Sequence, residues 1–160
     1  MRGDATNVPS LLIVTHSRGG STTQLASAFE RGTHTEGISG IRVDCLDVVD
    51  AASSAVHLAS GIAIITPERF GSMAGLVKDF FERIYYDLLE VTPGLPYVMV
   101  VKGDTDGTGA VASIEKIATG LRWRRALEPL VVLGAVTPDA ISQAEELGAT
   151  FAAGIAERVF

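Results

Sequence analysis

The residues best suited to hold a ligand fall in three short segments. The first is Thr15-His16-Ser17-Arg18-Gly19-Gly20-Ser21-Thr22-Thr23. Ser17, Ser21, Thr22 and Thr23 can donate to phosphate oxygens, and the glycine pair lets the backbone approach a ligand closely. The Gln24-Leu25-Ala26 that follows opens a helix, whose first N–H groups are free and carry positive partial charge. Together these parts would cradle a phosphate monoester, although they equally suit an ordinary helix cap. The second segment is Thr66-Pro67-Glu68-Arg69-Phe70-Gly71-Ser72-Met73-Ala74-Gly75. Phe70 and Met73 offer apolar contact to a flat heterocycle and Gly71 leaves a peptide edge accessible to it. Phe70 taken alone is expected to plug the core. The third segment, Lys102-Gly103-Asp104-Thr105-Asp106-Gly107-Thr108-Gly109-Ala110, again suggests backbone packed against a ligand. Its alternatives are an acidic turn or a cation loop, though the ligand spacing of an EF-hand is absent.

Several chemistries are excluded by what is missing. No G-x-x-x-x-G-K-S/T is present, so a nucleoside-triphosphate loop is not expected, and no G-x-G-x-x-G marks a dinucleotide site. The single cysteine, Cys45, rules out a multi-cysteine metal centre and an internal disulfide. It sits inside a strand and is expected as a small buried side chain rather than a redox centre. His16, His34 and His57 are scattered and form no metal constellation. Trp123, in Arg122-Trp123-Arg124-Arg125, is expected to pack behind a helix, and the basic cluster is too short to bind nucleic acid in an acidic protein.

These segments need a scaffold, and the rest of the chain supplies one. Of 160 residues, 47% are hydrophobic and 20% charged, with a mean hydropathy of +0.30. That is enough apolar material for one core-forming domain. The net charge of −6 gives no general attraction to nucleic acid or an anionic membrane. No apolar run approaches the roughly 20 residues of a spanning helix, and Met1–Pro9 lacks a signal peptide's apolar stretch. The expectation is a cytoplasmic protein with a flexible arm at 1–9 and a single domain at 10–160.

Apolar runs at Ser10–Thr15, Ile41–Leu46, Gly61–Thr66, Pro96–Val101 and Pro129–Leu133 read as strands. Most are apolar on both faces, as in a parallel sheet covered by helices. In the second, Arg42 and Asp44 alternate with apolar residues, which predicts an edge strand. Helices are expected over Thr22–Arg31, Ala51–Leu58, Ala74–Leu89, Thr108–Leu121 and Pro138–Arg158, the last introduced by Thr137-Pro138-Asp139. Strict alternation predicts an α/β fold: a doubly wound, five-stranded parallel sheet with helices on both faces. Ligands then sit beyond the carboxyl ends of the strands, where all three segments fall.

With those residues in place, the chain resembles the flavodoxin-like superfamily, in particular its branch of NAD(P)H:quinone oxidoreductases and NADPH-dependent FMN reductases. S-x-x-G-x-x-x-x-L-A at Ser17 to Ala26 is similar to that branch's FMN-phosphate loop. Pro67-Glu68-Arg69-Phe70-Gly71-Ser72-Met73, followed by Gly75, Phe80 and Phe81, resembles the segment that lies along the isoalloxazine ring. The resemblance implies the strand order 2-1-3-4-5 and FMN as cofactor. It places the FMN phosphate at Ser17, Arg18, Gly20, Ser21 and Thr22, and the ring at Pro67, Glu68, Arg69, Phe70, Gly71, Ser72 and Met73. Gly103, Asp104 and Gly107 match more loosely. It further implies hydride from NAD(P)H, a quinone, free flavin or other small-molecule electron acceptor, and a homo-oligomer (dimer or tetramer). A flavodoxin-type carrier that binds FMN without oxidising NAD(P)H is the alternative. The long insertion and the C-terminal histidine-bearing segment of the quinone-reductase branch have no counterpart in this sequence.

Overall fold

Alternation of buried strands and amphipathic helices produces a single parallel sheet flanked on both faces. A computed structural model of the chain describes residues 7–16 and 20–160. In chain order the elements are β1 (Ser10–Thr15), α1 (Gly20–Thr33), β2 (Arg42–Asp47), α2 (Ser53–Leu58), β3 (Gly61–Arg69) and β4 (Ser72–Met73). They continue as α3 (Gly75–Leu88), β5 (Pro96–Gly103), α4 (Thr108–Gly120), β6 (Arg124–Arg125), β7 (Leu130–Leu133) and α5 (Pro138–Ala156). The expected arm at 1–9 falls largely outside the described residues.

The parallel neighbours run β2-β1-β3-β5, with β6 and then β7 following one another along the far edge of β5. This is the doubly wound order expected from the sequence, with its last strand in two pieces. Arg124 and Arg125 pair with Pro96 and Tyr97, and Leu130–Leu133 pair with Val100–Gly103. Pro129, between them, has no N–H to give a ladder, which is tolerable only at a sheet edge.

The sheet divides two apolar clusters. One, under α2, α3 and α4, includes Phe80, Phe81, Ile84, Met99 and Trp123. Trp123 is 6% exposed; its indole N–H donates to the Thr92 hydroxyl at 2.9 Å, and its ring lies 6.0 Å from that of Phe81. The other cluster, under α1 and α5, includes Leu25, Phe29, Ala144 and Phe151. There the two helices touch backbone to backbone. A Cβ built on Gly32 would overlap the Glu145 carbonyl oxygen, and one on Gly148 would overlap that of Phe29.

Two expectations need correction. Cys45 is exposed, not buried, because β2 is the sheet's outer strand and is partly open on both faces. Partial desolvation and then Glu30 push its thiol pKa up, the opposite of an activated thiol. The second concerns β3, which does not stop at Thr66. It continues through Pro67, which stays in register with Lys102, and then turns back through β4 as a hairpin.

Candidate functional site

The carboxyl edge of the sheet brings the end of β1, the β3–β4 hairpin and the β5–α4 loop to one side of the molecule. At β1, Thr15 Oγ1 and His16 Nδ1 are buried atoms with no hydrogen-bond partner among the described residues. His16 Nδ1 lies 3.8 Å from Asp47 Oδ2 at the end of β2. The first turn of α1 follows, with Gly20, Ser21 and Thr23 exposed and Thr22 buried. No acid occupies that turn, and a Cβ on Gly20 would meet only Gln24 at 3.9 Å. Ser17 and Arg18, expected beside a phosphate, lie outside the described residues, as does Gly19.

The hairpin pairs Glu68 with Met73 and Arg69 with Ser72, leaving Phe70 and Gly71 as a two-residue turn. Their φ angles of 50° and 70° are both left-handed, as in a type I′ turn, whose twist matches that of the strands it joins. Glycine takes this conformation freely, whereas a bulky side chain at such an angle costs about 1–3 kcal/mol. Phe70 recovers none of that by burial: its exposure is 107%. The expected core plug is therefore an aromatic ring standing free at the tip of a tight turn. Phe70→Asn should raise Tm by roughly 2–4 °C, since asparagine tolerates this turn position and about 1 kcal/mol is regained. Differential scanning calorimetry of the unliganded chain reads this directly.

The neighbours of Phe70 are firmly seated. Met73, expected to touch a heterocycle, is 4% exposed and belongs to the core beneath α3, so any ring contact it makes is through its backbone. The Met73 N–H donates to Ser113 Oγ at 3.1 Å and the Ala74 N–H to Thr66 Oγ1 at 3.2 Å. Gly71 rests on α4, where a Cβ on Gly109 would overlap the Gly71 carbonyl.

Glu68 and Arg69 reach across to the β5–α4 loop. Arg69 donates to its neighbour's carbonyl and to Asp104 Oδ2 at 3.3 Å, a pair open to solvent on both sides. Glu68 is 1% exposed, and its Oε1 accepts from the Thr105 amide at 2.9 Å and the Thr105 hydroxyl at 2.6 Å. Asp106 Oδ1 accepts the hydroxyl and amide of Thr108, which lower its carboxyl pKa in that order. Gly103 and Gly107 are buried, and side chains fill the places their own would take: Leu133 beside Gly103, Val131 beside Gly107. These glycines fit the loop against β7.

Between His16, the hairpin and the start of α3 lies a cleft of about 410 Å³, lined by His16, Pro67, Arg69, Phe70, Gly75 and Leu76, with Ala74 at its base. Its lining is mainly apolar, with Arg69 and His16 as polar points, which suits a flat ring system. Among the described residues no cluster of acids, histidines or cysteine is arranged to hold a metal. Sequence reasoning singled out the segment that forms the hairpin and both flanking turns; Thr66, Thr105 and Gly109 fell inside these segments without being assigned a role, and Ser113 was missed. Only the glycine left a trace in sequence, as the third in a glycine-rich loop.

Sheet order, layering and a carboxyl-edge crevice together define a flavodoxin-like fold. Solved structures of that shape include a flavodoxin from the domain Archaea, 18% identical, with a TM-score of 0.77 over 94% of this chain and 98% of that one. A flavodoxin, WrbA-like protein from Agrobacterium tumefaciens is 14% identical, with a TM-score of 0.72 over 94% and 98% of the two chains. The rubredoxin oxygen:oxidoreductase of Desulfovibrio gigas, 14% identical, superposes with a TM-score of 0.76 on 94% of this chain, which spans 37% of that longer protein. No family model and no curated protein matches the sequence.

Proposed function

We propose that the chain binds FMN at the carboxyl edge of its sheet and works as a small NAD(P)H-dependent reductase of low-molecular-weight acceptors. The observation that carries this reading is Phe70, strained and fully exposed beside the cleft. A ring held there against both torsional and solvation preference is explained by a planar ligand stacked on it. The polar parts fit the other end of the cofactor. Among the described residues Thr15 Oγ1 and His16 Nδ1 lack partners, and the acid-free first turn of α1 offers amides and hydroxyls to a phosphate. The flavodoxin-like neighbours support the same reading through their shape.

When bound, FMN supplies the redox chemistry itself, accepting hydride and releasing one or two electrons. The chain's part is to bind and orient. Ser21, Thr22 and the Gly20 backbone, with Ser17 and Arg18, would hold the phosphate. Residues Pro67 to Ser72 would set the plane of the ring, the Phe70-Gly71-Ser72 peptides facing its edge. Arg69, already paired with Asp104, would border the cleft. No acid or base is required of the protein.

A carrier that holds FMN without oxidising nicotinamide is the second reading, favoured by the several flavodoxins among the neighbours. An anaerobic titration separates the two. The chain is loaded with FMN, freed of excess flavin, and given one equivalent of NADPH or NADH while the flavin absorbance is followed. Rapid bleaching is the expected result and identifies the donor. A flavin that stays oxidised favours the carrier, and loss of flavin on desalting would remove the basis of both.

A further inference from the structure

Glu68 is a buried carboxylate with no cation. Its exposure is 1%, and among the described residues no ion pair reaches its side chain. Buried charges ordinarily find a counter-charge or a full set of donors. Here both donors come from one residue 37 positions away: the Thr105 amide and hydroxyl donate to Oε1, while among the described residues Oε2 has no hydrogen-bond partner. The same contacts lower the carboxyl's pKa, the Thr105 hydroxyl contributing most and its amide next, against the opposing pull of burial.

Among the described residues the loop's other side-chain tie to the hairpin is weak. Asp104, Thr105 and Asp106 are all exposed, and the Arg69–Asp104 pair, open to water, is of a type worth about 0–1 kcal/mol. We propose that Glu68 is the positioning residue of this site: its carboxylate accepts both the amide and the hydroxyl of Thr105 and so ties the β5–α4 loop to the hairpin carrying Phe70. An amide of the glycine-rich loop that sequence alone assigns to a ligand is thereby engaged by the protein itself. The tie stands on the contacts just described; its consequence for ligand binding rests on the FMN reading.

Hydrogen exchange of the amides at 104–108 in the full chain tests the tie, and FMN affinity tests its consequence. In Glu68→Gln the side-chain carbonyl can still accept from Thr105, but as a neutral group, so both contacts lose their charge assistance at once. Exchange at Thr105 should then accelerate about tenfold or more, while amides of α1 and α5 keep their rates. FMN should bind about tenfold more weakly, by a comparable loss of loop order. Thr105→Val, which removes the hydroxyl contact and keeps the amide one, should give a smaller change of the same kind. In Glu68→Ala, excess sodium formate should slow loop exchange again and sodium chloride at equal ionic strength should not, because a planar carboxylate can accept from the Thr105 amide and hydroxyl in place of the lost one. Unchanged loop exchange in Glu68→Gln and Thr105→Val overturns the tie, as does formate acting no better than chloride. If Glu68→Ala does not fold, the Thr105→Val exchange decides alone. Faster loop exchange with unaltered FMN affinity overturns the positioning role. A parent chain that binds no FMN sinks the functional reading, and the exchange and formate measurements still judge the tie.

Discussion

Gly148→Ala is expected to lower Tm by roughly 5–10 °C while leaving FMN affinity unchanged. In an exposed helix the same substitution would stabilise by about 1 kcal/mol, so the sign depends on what the new methyl meets. Here it meets the Phe29 carbonyl oxygen, with the carbonyl carbon and Cα of Phe29 close behind. Backbone cannot rotate away as a side chain tip can. The facing contact is equally tight, since a Cβ on Gly32 would overlap the Glu145 carbonyl. To admit the methyl, α1 and α5 must separate, opening the cluster that contains the fully buried Phe29 and Phe151. Overpacking of this kind costs about 1–3 kcal/mol, and in a domain of this size each kcal/mol moves Tm by about 2–4 °C. The clash falls at Phe29, in the half of α1 away from Gly20, Ser21 and Thr22, so flavin titration should separate fold damage from site damage. A Tm within a degree of the parent's would mean that the helices can part without cost.

Gly109→Ala should damage the site as well as the fold, costing about 1–3 kcal/mol of stability and weakening FMN binding about a hundredfold, in line with the loss of a misplaced binding loop. Its methyl would overlap the carbonyl of Gly71, the residue that closes the turn after Phe70. The hairpin cannot shift as a free unit. The Met73 amide is fixed to Ser113 and the Ala74 amide to Thr66, so strain falls on the turn itself and moves the exposed ring. Isothermal titration with FMN, set beside far-UV circular dichroism showing retained helix, is the measurement. Parental affinity in a folded Gly109→Ala chain would show that the turn does not contact the ligand.

How much of this was legible in the sequence depended on the range of the interaction involved. The start of α5 was readable because its signal is local: Thr137 accepts from the Ala140 amide at 3.1 Å, Pro138 opens the helix and Asp139 sits in its first turn. The edge position of β2 was readable from Arg42 and Asp44, which pair with each other at 2.9 Å on the open strand. The hairpin was not. Pro67 reads as the end of a strand, yet it only forfeits an N–H, and the turn that follows carries Phe-Gly where Asn-Gly would have announced it. Arg124-Arg125 likewise reads as a charged cluster, and becomes a strand only because the start of β5 offers it a partner. Glu68 was singled out for a ligand because nothing within a few residues reveals that its partner is Thr105.

Thr66 serves at both ends of the hairpin: its backbone belongs to β3 in register with Val101, and its hydroxyl accepts the amide of Ala74 as α3 begins. Strand and helix are thus already joined at the foot of the excursion, and residues 67–73 form a cassette whose two ends meet at one threonine. Replacement hairpins of the same type could be grafted between Thr66 and Ala74 with the supporting sheet intact, provided each brings a carboxylate for the neighbouring loop and a glycine against α4. Such exchange would change what the crevice grips without redesigning the scaffold beneath it.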